Sequence, residues 1–395
     1  MRVAVVAEYY PRAQDPVLGV WAHRQALAAR DAGPDVRVVV LHRPVPPAAA
    51  LRARDAAAAL APLRQPARAE LDGIEVRYVR YLSPPRGRAY GSWGAWAAPG
   101  LRRELRALRA EFPFDLVHAH YAAPAGDAVR RALPRAPLVV SVHGGDVLST
   151  VHRGPRARRA VEGALAHSRL VLANSAQTAA LAREHGARDT RVVHLGTDLP
   201  GADRLAGGPR AERPPTLVTV AHLVARKRHA DVVRALWTLR DRHPDLRYVV
   251  VGDGPQREPL RGLAASLGVA ERVELRGQLA PADARRAAWE ADAFVLPSVD
   301  EAFGVAYVEA MAGGVPAIGA RGEGGPQEIA AAGDGIRLVP PGDVEALAAE
   351  IDRLLTDAAW ARELGAASRA TVEEHFTWEL CGRETVAAYE AALGR

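Results

Sequence analysis

The sequence predicts two doubly wound α/β domains in tandem, and three observations carry that prediction. Short β-branched runs alternate with helical patterns through both halves of the chain. A Pro-, Gly- and charge-rich stretch without any period, PGADRLAGGPRAERPP, interrupts the alternation at 200–215. At 395 residues the chain is also long for a single ordinary domain. Continuous apolar strands separated by helices mean parallel sheets covered on both faces.

The elements follow in order. The opening MRVAVVAEYY lacks the length and cleavage site of an export signal and reads as a buried first strand. DVRVVVL, IEVRYVR, DLVHAH, PLVVSVH, RLVLANS and TRVVHL continue the first series of strands. Helical segments lie between them at 22–32, 100–111, 125–133, 156–167 and 175–185. The alternation restarts at Thr216 with PTLVTVA, LRYVVVGDG, RVELRGQ, AFVLPS and VPAIGA. The expected division is therefore 1–199, a linker at 200–215, a second domain at 216–375 and a terminal segment at 376–395. The segment 50–70, rich in Ala and Arg, reads either as a basic amphipathic helix against a membrane surface or as a solvated helix or loop. No repeat of 20–50 residues is present. Ligands of such sheets bind beyond the carboxyl ends of the strands, and two such domains place the natural site in a cleft between them.

Composition narrows the chemistry. A single cysteine, Cys381, excludes an internal disulfide framework and any Cys-based metal cluster, and points to a reducing, cytoplasmic setting. No apolar run approaches the roughly 18 residues of a spanning helix. Formal charge is +6, but residues 1–199 carry 29 basic and 17 acidic groups while 200–395 carry 23 and 29. A basic first half suits an anionic acceptor, a membrane surface or nucleic acid, although the arginines are scattered and no nucleic-acid motif appears. Lys227 is the sole lysine among 52 basic residues. Either chance kept it in an arginine-rich chain, or a compact ammonium is needed there.

The most specific local signal is LPSVDEAFGVAYVEAMAGGVPAIGARGEGGPQE at 296–328. A strand ends near Pro297, and a loop carries Glu301 to a helix opening near Gly304. Glu309 follows Glu301 after seven intervening residues, on the helix itself. Amides of Phe303, Gly304 and Val305 would form a helix N-terminus, which favours anions. A phosphate there, with a carboxylate on either side, can be held together with sugar or ribose hydroxyls. The plainer reading is a solvated loop glutamate and a capped helix.

EAFGVAYVEAMAGGVPAI resembles the E-x7-E segment of glycosyltransferase family 4, the retaining GT-B enzymes that use nucleotide sugars. Further blocks resemble the same family in the same order. They are HAHYAAPAG at 118–126, SVHGGDV at 141–147, VVHLGTD at 192–198, VAHLVARKRHADVVRAL at 220–236, VVVGDGPQREPL at 249–260 and ELRGQL at 274–279. The tail HFTWELCGRETVAAYEAAL is similar to the family's closing helix, which implies that 376–395 packs back on the N-terminal domain. The opening YYPRAQDPVLGVWAHRQALAARDAGPDVRVV is similar to members that build teichuronic acid and other exopolysaccharides.

The resemblance implies a GT-B fold, two Rossmann-like domains facing a central cleft, and roles for particular residues. Lys227 falls on the diphosphate lysine of V-G-x-L-x-x-x-K-G. His222 stands where the family often has arginine, leaving Arg226 or Arg228 as the second cation, of which Arg226 is preferred. Glu309 falls on the glutamate that binds ribose hydroxyls, and Glu301 on the residue beside the donor sugar. The backbone at Gly277, Gln278 and Leu279 would hold the base, leaving uridine or guanosine open. Gly19, in PVLGV, would let backbone approach the diphosphate. His120 falls on the histidine beside the donor sugar. His118, two residues earlier on the same strand face, reads as structural. His143 and Asp146, in HGGD, are acceptor candidates, with turn capping an equal reading for Asp146. Trp21, Trp93 and Trp96 form either an acceptor wall or loop packing.

The implied reaction is retaining hexosyl transfer to a hydroxyl, of polysaccharide, glycolipid or secondary-metabolite type. It would proceed through a front-face oxocarbenium-like state without a cofactor or metal. Competing readings are a GT-B epimerase or phosphorylase, and a non-catalytic basic module contacting a membrane surface. A dinucleotide-dependent enzyme is a weaker rival, because GDGPQR lacks the third glycine of G-x-G-x-x-G.

Overall fold

The computed structural model describes residues 1–46, 48–85, 91–201 and 213–395. Most of the 200–215 linker expectation therefore lies outside the described residues. The chain divides into two compact units, Met1–Leu195 with Trp378–Arg395, and Gly196–Thr377. The first division precedes residue 200 because Thr197 already belongs to the second unit. Its amide donates to the carbonyl of Phe376 (2.9 Å), and it bridges Thr377.

The first unit is an eight-stranded sheet in the order β3-β4-β2-β1-β5-β6-β7-β8. The strands are β1 Arg2–Ala7, β2 Asp35–His42, β3 Arg68–Leu71, β4 Ile74–Arg80, β5 Leu116–His120, β6 Leu138–Val142, β7 Leu170–Ala173 and β8 Thr190–Val192. All neighbours are parallel except β3 and β4, joined antiparallel through Asp72 and Gly73. In β1, Ala4 and Val6 enter one core while Val3, Val5 and Ala7 enter the other. This period-2 division gives the sheet a core on each face. The helices Trp93–Glu111 and Pro155–His167 cover the first core; Val20–Asp31 and Trp378–Leu393 cover the second. The terminal helix thus closes the unit in which the chain began, and Gln25 donates to Thr385 across the helix pair (3.1 Å).

The segment 50–70 is not one amphipathic helix. It is two short helices, Ala48–Arg52 and Ala56–Leu60, then a 3-10 turn Ala61–Arg64 and β3. Arg54 at φ 54° breaks the run, and Asp55 caps the second helix by accepting from the Ala58 amide (3.0 Å). Among the described residues, no helix is long and apolar enough to cross a membrane.

The second unit is a six-stranded parallel sheet, β11-β10-β9-β12-β13-β14. Its strands are β9 Thr216–Val220, β10 Arg247–Val251, β11 Val273–Gly277, β12 Ala293–Leu296, β13 Ala317–Ala320 and β14 Ile336–Val339. The parallel core of each sheet turns its strand order at one switch point, between β1 and β5 in the first and between β9 and β12 in the second. Such switch points open a crevice at the carboxyl edge of a parallel sheet.

Candidate functional site

Lys227 and Glu301 leave the two strands that flank the second unit's switch point. After β9 the chain runs through a 3-10 turn, Ala225–Lys227, into the helix His229–Thr238. After β12 it runs through Ser298–Gly304 into the helix Val305–Ala312. The two loops are tied by the Val299 amide, which donates to the Arg226 carbonyl (2.8 Å).

Between them the Lys227 ammonium pairs with Glu301 Oε2, both side chains nearly closed to solvent. Ser298 Oγ donates to the same carboxylate oxygen (2.8 Å), and the Glu323 carboxylate accepts from the Glu301 amide (2.9 Å). Burial alone would raise the Glu301 carboxyl. Lys227, Ser298 and the charge of Arg226 outweigh it and hold the group below its ordinary value. It is therefore a carboxylate, and the site keeps a cation and an anion in contact at the end of the sheet.

Local geometry demands two glycines here. Gly304 caps the helix at φ 84°, and a Cβ there would lie 2.5 Å from the Tyr307 ring. A Cβ at Gly325 would lie 2.0 Å from the Phe303 carbonyl oxygen. The N-terminus of the helix Gly324–Ala332 is thus pressed against the loop that carries Glu301.

Glu309 sits about one turn into the helix Val305–Ala312, eight residues after Glu301, anchored by the Trp289 indole, which donates to the Glu309 carbonyl (2.7 Å). Its carboxylate is 3.9 Å from Arg285, and Arg285 is 3.7 Å from Asp198. Neither separation is a tight hydrogen bond, so the carboxylate remains open to a ligand. Burial pushes its pKa up to about 7, Arg285 opposes that, and the 27% of the side chain open to water tempers it.

The candidate cations differ. Arg228 is spent on Asp231 (2.6 Å). Arg226 is exposed, its guanidinium donating to the Asp300 carbonyl (3.2 Å). His222 is exposed. At the base-binding candidate, Gly277 accepts from the Gly252 amide (2.8 Å), so this carbonyl is already used within the fold. Gln278 is exposed and Leu279 half-buried just beyond it.

In the first unit, Ala7 and His120 pair across the β1–β5 switch point. His118 is structural in its contacts: Tyr389 OH lies 2.8 Å from Nδ1 and Ser141 Oγ 2.7 Å from Nε2. His120 Nδ1 lies 3.0 Å from His143 Nε2, the two rings stacked at 13°. Burial lowers all three histidines, His118 to about 3, His143 to about 4 and His120 well below its ordinary value. Trp21 lies edge-on to His143 at 6.2 Å, and Tyr9, Tyr121 and His143 follow one another at 5.1 Å between ring centres. Tyr9 and Tyr121 were not singled out from sequence. Tyr9 lies near the end of the predicted first strand and Tyr121 directly after DLVHAH, which was the available signal.

Three of the candidates are engaged by the chain itself. Asp146 is fully buried, and its two carboxylate oxygens accept from the amides of Ala122 (2.8 Å) and His143 (3.2 Å). It pins two loops together and is closed to an acceptor. Trp93 is buried in the first core and Trp21 packs against the second, on opposite faces of the sheet, so the tryptophans form no common wall. Trp96 is 53% exposed. Gly19 is required by the chain itself: at φ 64°, a Cβ there would lie 2.2 Å from the Tyr9 carbonyl carbon. Among the described residues, no group of three or more His, Cys, Asp or Glu gathers as a metal site would.

Residues 18–200 match the family model described as Glycosyltransferase Family 4, and residues 205–371 that described as Glycosyl transferases group 1. The 2-deoxystreptamine glucosyltransferase of Streptomyces kanamyceticus is 30% identical over 83% of this chain and 91% of its own length. The chain belongs to glycosyltransferase family 4. Other family resemblances are partial. An exopolysaccharide phosphotransferase of Streptomyces coelicolor is 40% identical over 38% of this chain and 16% of its own. A GDP-mannose-dependent phosphatidylinositol monomannoside mannosyltransferase of Mycolicibacterium smegmatis is 33% identical over 42% and 46%. The chain spans less than half the length of these two relatives. Sucrose-phosphate synthase of Thermosynechococcus elongatus superposes with TM-score 0.79 at 22% identity, covering 100% of this chain and 99% of its own. HepE of Anabaena in complex with UDP-glucose gives 0.70 at 20%, covering 99% and 100%. These likenesses show the GT-B fold of family 4.

Proposed function

We propose that this chain transfers a hexose from a nucleoside-diphosphate sugar to a hydroxyl acceptor with retention of anomeric configuration. The observation that carries the reading is the buried Lys227–Glu301 pair at the second unit's switch point, with the open carboxylate of Glu309 eight residues on. A departing diphosphate develops negative charge, and preformed cations stabilise it without reorganisation. Lys227 gives a point contact to phosphate and Arg226, exposed beside it, the second cation. With two cations in place, the leaving group needs no divalent ion. Glu309 accepts the two ribose hydroxyls, and Glu301 faces the transferred sugar. The nucleoside is uridine or guanosine, as the names of related proteins suggest.

In the reaction, the acceptor oxygen bonds to the anomeric carbon on the face from which the diphosphate oxygen departs. The acceptor proton passes to the departing phosphate oxygen. The acceptor is a ring or chain alcohol, as in polysaccharide, glycolipid or secondary-metabolite assembly. Ligand that binds only the folded state raises its melting temperature by mass action. Thermal unfolding with UDP, GDP, ADP and TDP should show stabilisation by one nucleotide, reduced in Glu309→Ala and abolished in Lys227→Ala. No shift with any of the four would overturn the donor site.

A further inference from the structure

The His120–His143 contact carries more than its length. Both outer ring nitrogens, His120 Nε2 and His143 Nδ1, are buried and have no hydrogen-bond partner among the described residues. The inner nitrogens are 3.0 Å apart, so one must donate and the other accept. A neutral imidazole carries one N–H. If His143 Nε2 donates, His120 Nδ1 is bare, and His120 must carry its proton on Nε2. If His120 Nδ1 donates, His143 Nε2 is bare, and His143 must carry its proton on Nδ1. The two rings are thus constrained to the same tautomer, both Nε2–H or both Nδ1–H.

Each alternative leaves one N–H at one outer end and one lone pair at the other. An unpaired buried polar atom is costly, and two at one strand edge point to a ligand that supplies both partners. A hydroxyl donates and accepts; a carbonyl or a carboxylate only accepts. The surroundings fit this chemistry. His143 is fixed from behind, its amide held by the buried Asp146 carboxylate. Trp21 and Tyr121 flank its ring, and His118 flanks that of His120 at 4.4 Å between ring centres.

We propose that His143 is a positioning residue: by sharing one proton with His120 it locks both imidazoles into a common tautomer, so that their outer nitrogens bind two hydroxyls of a polyol, one as donor and one as acceptor. This deepens the glycosyl-transfer reading and rests on it only for the identity of the polyol. The tautomer lock itself is a property of the resting protein. Burial keeps both rings neutral near neutral pH, the condition the lock requires.

The test is 15N NMR of the full chain labelled in histidine, which separates protonated from bare ring nitrogens. His120 and His143, assigned through His120→Phe and His143→Phe, should show the same tautomer near pH 7. Opposite tautomers, or a protonated ring in either, would overturn the lock. In His143→Phe, which keeps an aromatic ring against Trp21 and Tyr121, the His120 signals should move toward a tautomer average. His143→Gln, whose amide can donate and accept, should restore one form. Once a donor and acceptor pair is known, His143→Phe should lower kcat about tenfold, the weight of one hydrogen bond, with His143→Gln recovering part of it. Locked tautomers without that kinetic loss would keep the lock and overturn the polyol role. If no nucleotide sugar is turned over at all, the glycosyl-transfer reading falls while the resonance result stands.

Discussion

The carboxyl edges of the two sheets are built on the same plan and carry opposite chemistry. At the ends of β1, β5 and β6 lies a cluster of rings, Tyr9, Trp21, His120, Tyr121 and His143, with the imidazoles held neutral by burial. Beyond β9 and β12 lie charges in contact, Lys227 against Glu301, with Arg226 and Glu309 close by along the chain. One topology, with its crevice at the switch point, therefore supports either a desolvated hydroxyl reader or an ionic anchor. What decides is the residue type that ends each strand.

The sharpest way to break this contrast is to remove one charge from the ionic edge. Lys227→Ala leaves the Glu301 carboxylate buried without its cation, which costs about 3–5 kcal/mol. Chemical denaturation should read that loss, together with loss of nucleotide binding. The sign with pH also follows. The depressed Glu301 carboxyl contributes stability that is present above its unfolded value, near 4.5, and lost as pH falls through its folded one. In Lys227→Ala that acid-side loss should shrink. Unchanged stability would mean that the pair is not formed in solution.

The neutral edge has its own buried carboxylate. Asp146→Ala orphans the amides of Ala122 and His143, and should cost about 2–6 kcal/mol at roughly 1–3 per buried group. Burial raises Asp146 to about 7 from 3.8. The folded protein therefore holds a proton that the unfolded chain has released, and stability falls as pH rises across that window. Asp146→Asn should flatten the profile of denaturation midpoint against pH between 4 and 7.

Much of this was legible in the sequence, for identifiable reasons. Twelve strands were announced by β-branched or alternating apolar runs, most of them the buried runs that a parallel strand covered on both faces needs. The two strands not anticipated, β3 (RAEL) and β14 (IRLV), lie at sheet edges and interrupt their apolar residues with charge. Lys227, Glu301 and Glu309 were legible as a motif. Ser298, Glu323 and Gly325 were not, because each acts across space on the Glu301 loop. Of the two readings of Asp146, turn capping is the one its contacts match, and Gly19 lies hard against the backbone of Tyr9. A sequence reports that a special residue is present; only the fold shows that its partner is the chain itself.

A smaller effect sharpens the role of Glu309. With its pKa near 7, the carboxyl ionises as pH rises through neutrality, and only the carboxylate accepts from both ribose hydroxyls. Nucleotide affinity should therefore rise from pH 6 to pH 8. Glu309→Gln, isosteric and uncharged, should bind about tenfold more weakly at pH 8 and lose the pH dependence. Calorimetric titration at the two pH values reads both. A wild-type affinity flat across the range would place Glu309 away from the diol.

The smallest effect separates two arginines that the motif alone left open. Arg228 occupies φ 55°, the left-handed region, at the place where the resembling motif K-G has glycine. A non-glycine residue there carries a backbone penalty of about 1 kcal/mol. Its guanidinium regains some of that by pairing with Asp231, but Arg234 also reaches Asp231 (3.2 Å), so the carboxylate keeps a partner if Arg228 is removed. Arg228→Gly should thus relieve strain and lose one partly exposed pair, for a net change under about 1 kcal/mol, with nucleotide affinity retained. Arg226→Ala, on an exposed side chain whose guanidinium donates to the Asp300 carbonyl and whose charge helps hold Glu301 ionised, should cost under about 1 kcal/mol of stability and weaken diphosphate binding. If the two outcomes exchange, with Arg228→Gly losing affinity and Arg226→Ala keeping it, the Arg228–Asp231 pair opens on binding and Arg228 is the second cation of the ionic edge.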